Sequence, residues 1–307
     1  MDATRSETVA RARRGLLLFA VLTILGTVGV DANLSRDPSL IFERMWVPGL
    51  ASLITRAVLR EGGADISLRL DWRVLRFVAV AWVFPLVTLT IAYGLAWAAS
   101  LEPLRPEASA GDVARSLVRS ATLGLLPSAL SAAGEELGWR GYMLTRFIDA
   151  GVPYPIGVSG LVWWAWHLPL VLRGELLAGP SPLVAVLLFF PTVMALAIVA
   201  GVVRCDSGSV WPAVMLHASF NAAMDLTFDP LTAPRPGGQL WTGASGVAVC
   251  IICSVGAATI WKARASFSNL HGRPARPLGT ASSSAAARSS LAASRSATKR
   301  PSVRTRS

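Results

Sequence analysis

An all-α fold, a polytopic bundle of about eight membrane-spanning helices with both termini cytoplasmic, is predicted by three features of the sequence. Of its 307 residues, 53% are hydrophobic and only 15% are charged, against about a quarter charged in a soluble domain. The apolar residues fall in runs near the ~20 residues that cross a hydrocarbon core. Basic residues gather in alternate loops, the pattern that sets orientation in a bilayer.

Taken in order, the runs predict spans at about Leu16–Val30, Trp46–Leu59, Phe77–Ala99, Leu117–Ile148, Ile156–Leu172, Leu183–Val203, Val210–Leu226 and Leu240–Trp261. The first follows Arg11, Arg13 and Arg14, as a signal peptide would, but lacks a small-x-small cleavage site and reads as a retained helix. The second is short and has a half-buried helix as its alternative. The N-terminus carries Arg5, Arg11, Arg13 and Arg14, and the loop after span two carries Arg60, Arg69 and Arg73. The loop Leu101–Asp112 sets Glu102, Glu107 and Asp112 against Arg105 alone. An even number of spans accommodates this alternation, and the expected location is the plasma membrane.

The net charge of +11 is mostly a property of one end. From Ala263 onward there are nine Arg or Lys and no acidic residue, so nine of the eleven charges belong there and +2 remains for everything before. Residues 263–307, rich in Ser, Ala and Arg, cannot bury enough apolar surface to offset ordering and read as a disordered cytoplasmic tail. Its expected partners are anionic lipid headgroups rather than nucleic acid. Residues 1–262 form the transmembrane domain, with a core at 117–226. Cys205, Cys250 and Cys253 are too few and too uneven for a disulfide framework.

Charged side chains in a bilayer cost several kcal/mol, so each one marks a candidate site. Three clusters stand out. In Glu135-Glu136-Leu-Gly-Trp-Arg140, Glu136 and Arg140 share a helix face and can pair, while Glu135 sits about 100° away and stays available. In Trp163-Trp164-Ala-Trp166-His167, Trp163 precedes His167 by one turn; the tryptophans read as packing and interfacial anchors. In His217-Ala-Ser-Phe-Asn221, the two polar residues again face one way. Counted from the cytoplasmic ends of their spans, these groups lie at a common depth of roughly 10–20 Å. Separately, an ion pair, a packing histidine and an Asn joining helices would explain them. Their coincidence in depth favours a buried site.

In order and spacing, these residues resemble the CPBP family of intramembrane proteases, which includes the type II CAAX prenyl endopeptidases. The family pattern E-E-x-x-x-R, aromatic-x-x-x-H and H-x-x-x-N reads here as Glu135, Glu136, Arg140; Trp163, His167; and His217, Asn221. Trp163 stands where the pattern usually has Phe. The resemblance implies hydrolysis of a peptide bond in a membrane-associated protein or peptide, lipidated or not. Glu135 would be the general base, helped by His167, with His217 and Asn221 as oxyanion donors and Glu136 and Arg140 in support. His167, His217 and Glu135 could alternatively be zinc ligands, making a metalloprotease, but the H-E-x-x-H signature is absent and metal-independent glutamate chemistry is preferred. A proton-coupled transporter and a non-proteolytic scaffold are the rival functions; no internal repeat supports the transporter.

Overall fold

The computed structural model describes residues 3–174, 181–233, 235 and 239–270. Its helices are α1 (Ala3–Leu34), α2 (Ile41–Val58), α3 (Trp72–Ala98), α4 (Ala110–Ala121), α5 (Leu125–Gly138), α6 (Leu144–Asp149), α7 (Pro155–Leu172), α8 (Pro182–Ser207), α9 (Trp211–Ala223), α10 (Asp229–Leu231) and α11 (Val247–Leu270). Single π turns, Trp139–Met143 and Met224–Phe228, join α5 to α6 and α9 to α10. The fold is all-α: among the described residues the only β pairing is one isolated bridge between Leu104 and Thr232.

Five helices are long and apolar enough to cross a membrane: residues 5–34 of α1, α3, α7, α8 and residues 247–266 of α11. The other predicted spans correspond to α2, α5 with α6, and α9 with α10, which are shorter, interrupted or more polar. They are packed among the long helices. α2 lies against α1 and α5, α9 against α3, α5 and α8, and α8 against α7 and α11. One large core cluster runs through the bundle, with Phe19, Trp139, Tyr142, Trp163, Val193 and Leu216 among its buried members.

Three predicted boundaries are corrected. The fourth span is not continuous from Leu117. α4 is a separate amphipathic helix opened by a Ser109–Asp112 capping box and closed at Thr122, whose φ of −123° and ψ of −82° leave the helical region. Ser109 donates from its hydroxyl and backbone to the exposed Asp112 carboxyl, holding its pKa down at about 2. The eighth span starts at Val247 rather than Leu240 because the buried Glu102 carboxylate gathers the backbone N–H groups of Leu240, Trp241 and Thr242 at 2.6, 3.1 and 2.8 Å. These donors go to Glu102 instead of opening a helix. Lastly, helix continues past Ala263 to Leu270, where Arg264 pairs with Asp206 of α8 at 2.7 Å. The remainder of the basic tail, 271–307, lies outside the described residues.

Close approach of α2 to α5 sets the position of the acidic pair. A Cβ on Gly134 would stand 2.7 Å from the Met45 carbonyl oxygen, and one on Gly49 would stand 2.6 Å from the Gly134 carbonyl oxygen. A Cβ on Gly138 would come within 2.6 Å of the Pro48 carbonyl carbon. Gly134 and Gly138 are four apart, the small-residue spacing that lets membrane helices meet backbone to backbone. Between them sit Glu135 and Glu136.

Candidate active site

The acidic pair is held from two directions. The Glu135 side chain is 2% exposed, and its Oε2 accepts the indole N–H of Trp163 at 2.7 Å and that of Trp139 at 3.2 Å. Its other oxygen accepts from no described residue. Glu136 pairs with Arg140 at 2.8 Å, as the four-residue spacing predicts. The same oxygen, Oε1, also takes His217 Nδ1 at 3.0 Å, joining α5 to α9. Glu136 Oε2 and Arg140 Nη2 are buried without a hydrogen-bond partner. In a polar pocket of this kind, unpaired atoms are where ordered water resides.

On α7, His167 Nδ1 lies 2.8 Å from the Trp163 carbonyl oxygen. A carbonyl only accepts, so Nδ1 carries the proton and Nε2 is left for another partner. The Trp163 ring stands between the two histidines, edge-on to His167 at 5.7 Å and to His217 at 5.3 Å, with the Arg140 guanidinium 4.2 Å from its centre. Phe189 of α8 closes the far side of His167 at 5.4 Å. Glu135, Glu136, Arg140, Trp163, His167 and His217 thus form one connected cluster across α5, the first π turn, α7 and α9. Asn221 lies one turn beyond His217, half-buried, and its amide bonds to no described residue.

The π turn after the acidic pair is itself anchored. Changing from an i→i+4 to an i→i+5 pattern frees carbonyl groups. Arg204 Nε of α8 takes the Arg140 carbonyl at 3.1 Å, and Arg56 Nη2 of α2 takes that of Gly141 at 3.1 Å. Arg204 also reaches the Asp65 carbonyl at 2.8 Å, and Arg56 bonds Asp65 and the Gly62 carbonyl. Arg146 adds ion pairs to Glu61 at 3.0 Å and Asp65 at 2.7 Å. The α2–α3 loop is therefore clamped onto the base of the acidic helix.

One sequence expectation changes at this point. Trp163, expected as a packing and anchoring residue, also holds the candidate base through its N–H, and Trp139 does the same. For the alternative zinc set of His167, His217 and Glu135, no group of three His, Cys, Asp or Glu that could hold a metal ion is found among the described residues. Two further residues, Arg44 and Asp31, form a buried 2.7 Å ion pair beside this cluster. Their signal was visible in principle, as charges flanking predicted spans, but nothing local links residues so far from His167 in sequence.

Residues 118–223 match the family model described as type II CAAX prenyl endopeptidase Rce1-like. The match runs from the end of α4 to the end of α9 and includes Glu135, Glu136, Arg140, Trp163, His167, His217 and Asn221. No curated protein matches the chain.

Proposed function

From the relation of residues 118–223 to the type II CAAX prenyl endopeptidases as premise, we propose that this multi-pass membrane protein is an intramembrane endopeptidase. It hydrolyses a peptide bond in a membrane-associated protein or peptide. The observation that carries the proposal is a carboxylate, Glu135, with one oxygen fixed by two N–H donors and the other uncommitted, beside a histidine whose Nε2 is also uncommitted.

A water between Glu135 and His167 Nε2 would lose its proton to Glu135 as its oxygen attacks the peptide carbonyl. Glu135 would return that proton to the leaving amine, so no proton is gained or lost over the cycle. His167 orients the water through the Nε2 lone pair. His217 faces a carboxylate at Nδ1, so to donate from Nε2 to the developing oxyanion it acts as the imidazolium, with Glu136 as counter-ion. Asn221, with its amide uncommitted, is the second donor. Arg140 neutralises Glu136 in turn, which keeps Glu135 as the reactive carboxylate. We assign the chemistry to glutamate without a metal.

In the same reading, residues 1–262 are the protease domain, crossing the plasma membrane eight times with both termini cytoplasmic. The tail from Ala263, mostly beyond the described helix, associates with anionic headgroups.

Cleavage of a quenched peptide library with lipidated and unlipidated members, by detergent-purified wild type beside Glu135→Gln, tests the proposal. Adding a strong chelator separates the two chemistries. The expected result is activity in wild type that survives chelation and disappears in the variant. Loss on chelation would restore the metal, and a folded wild type that cleaves nothing would favour a scaffold or transport role.

A further inference from the structure

His167 has a third support, supplied by α1 and α2 from outside the segment that carries the other site residues. Arg44 on α2 is 1% exposed and makes three contacts at once. Its Nε pairs with Asp31 of α1 at 2.7 Å, and its Nη2 donates to the Trp166 carbonyl at 2.8 Å. Its guanidinium lies 3.8 Å from the centre of the Trp166 ring. From the other side, the Trp166 indole N–H donates to Thr27 Oγ1 of α1 at 2.8 Å. The same ring packs edge-on against Trp139 at 5.6 Å and against His167 at 4.9 Å.

Apart from these contacts, the seam they span is bridged by Arg173, just after α7, whose Nη2 lies 3.5 Å from Asp31 Oδ2. α7 packs on α8, α6 and the first π turn, while its contact with α1 and α2 is slight. A groove of about 430 Å³ opens along α1 and α7, walled by Ile24, Val28, Ala165 and Pro169, with Asp31 and Trp166 among its lining residues. Pro169 has no N–H to give the Ala165 carbonyl, so α7 lacks one internal bond beside the histidine. A helix weakened there and open on one flank needs an external fixture to hold an imidazole in register.

We propose that Arg44 is a positioning residue: locked by Asp31, it straps Trp166 to α1 and α2 and thereby sets the His167 imidazole against Glu135. This rests on the proteolytic reading for its effect on rate, but not for its effect on structure. Planarity is central to the role, since a guanidinium can stack on an indole while its edge donates to a carboxylate and a carbonyl. An ammonium group cannot do all three.

The test uses Arg44→Gln and Arg44→Lys in the full chain. Peptide cleavage is followed together with electron-resonance distances between spin labels at Leu25 on α1 and Leu172 on α7, both exposed. The labels are placed after Cys205, Cys250 and Cys253 have been replaced. Misplacing a catalytic group by about 1 Å can cost on the order of 100-fold. We expect Arg44→Gln to lower kcat by roughly 10- to 100-fold with KM little changed, and to broaden the α1–α7 distances. Arg44→Lys should fail to restore either. If Arg44→Gln does not fold, Trp166→Phe keeps an aromatic ring under the guanidinium but removes the indole N–H to Thr27 together with the second ring, and a kcat loss with unchanged KM is again expected. Unchanged kcat and distances in a folded variant would overturn the inference, as would full restoration by lysine, because charge alone would then suffice. If wild type cleaves nothing, the distances alone judge the strap, and only the proteolytic reading falls.

Discussion

Two indole N–H groups on one oxygen of a buried carboxylate do two things: they fix its orientation and stabilise its charge. Trp163 supplies the shorter bond from a position where the related family usually carries Phe, so the aromatic wall and the hydrogen bond can be separated by mutation. Trp163→Phe keeps the ring between His167 and His217 but removes the 2.7 Å donor. We expect cleavage to fall by roughly 10-fold, the equivalent of the ~1.5 kcal/mol of one hydrogen bond to a charged group at its weaker end. Trp163→Ala should cost far more, because the histidines and Arg140 lose their common wall. Side-by-side kcat values for the two variants check this, and equal losses would deny the N–H any separate role. The residue types were legible in the sequence because charged and amide groups are conspicuous in apolar runs. The spacing of four also anticipated the Glu136–Arg140 pair. The partners of Glu135 were not legible: an indole looks the same in a sequence whether it faces lipid or a carboxylate. For the same reason the His217–Glu136 contact, which joins residues 81 positions apart, appears only in the fold.

At the scale of helices, the acidic pair is placed by what flanks it. Gly134 and Gly138 admit α2, and a π turn anchored by Arg56 and Arg204 follows. Because the atoms opposite Gly134 and Gly138 belong largely to backbone and to Pro48, they cannot swing aside as a flexible side chain would. Gly138→Ala is therefore expected to destabilise by about 1–3 kcal/mol, the usual cost of overpacking, and Gly134→Val by more. Thermal unfolding in detergent measures it. A variant as stable as wild type would mean that α2 can move away without loss. Glu136→Gln addresses the same helix through charge. It takes from the buried Arg140 its paired carboxylate, and breaking a buried pair in this way costs about 3–5 kcal/mol; unfolding midpoints of Glu136→Gln and the Glu136→Gln/Arg140→Met double variant should show the double variant recovering part of the loss. Helix positions were readable from apolar runs, but the π turns were not. Hydropathy has no feature that distinguishes i→i+5 from i→i+4 bonding, and the freed carbonyls are satisfied by arginines from other helices. The break between α4 and α5 was missed because Leu117, Val118 and Leu123–Leu126 are apolar enough to read as one run. The late start of α11 depended on Glu102, more than 130 residues away.

For the whole molecule, the contacts bring both ends of the described chain to one end of the bundle. Gly15 of α1 lies against Tyr142 and Glu61, and Glu61 pairs with Arg146 in the clamp below the π turn. Arg264 of α11 pairs with Asp206 near the end of α8, and Arg69 of the same clamping loop donates to the adjacent Ser207 carbonyl at 2.6 Å. Arg13, Arg14, Arg60, Arg69 and Arg73 all belong to this end, while Glu107 and Asp112 lie beyond the far end of α3. Since basic loops are retained in the cytoplasm, this end is expected to face inward, with the site reached through helices that enter from it. Single cysteines at the exposed positions Ser6, Ser266 and Glu107, in a chain lacking its three native cysteines, report the orientation. An impermeant thiol reagent should label Glu107→Cys in intact cells, and Ser6→Cys and Ser266→Cys only after permeabilisation. The reverse pattern would invert the topology. Labelling of Ser6→Cys and Ser266→Cys from opposite sides would mean an odd number of crossings, and one of α2, α5–α6 or α9–α10 would then be a helix that enters the bilayer without traversing it.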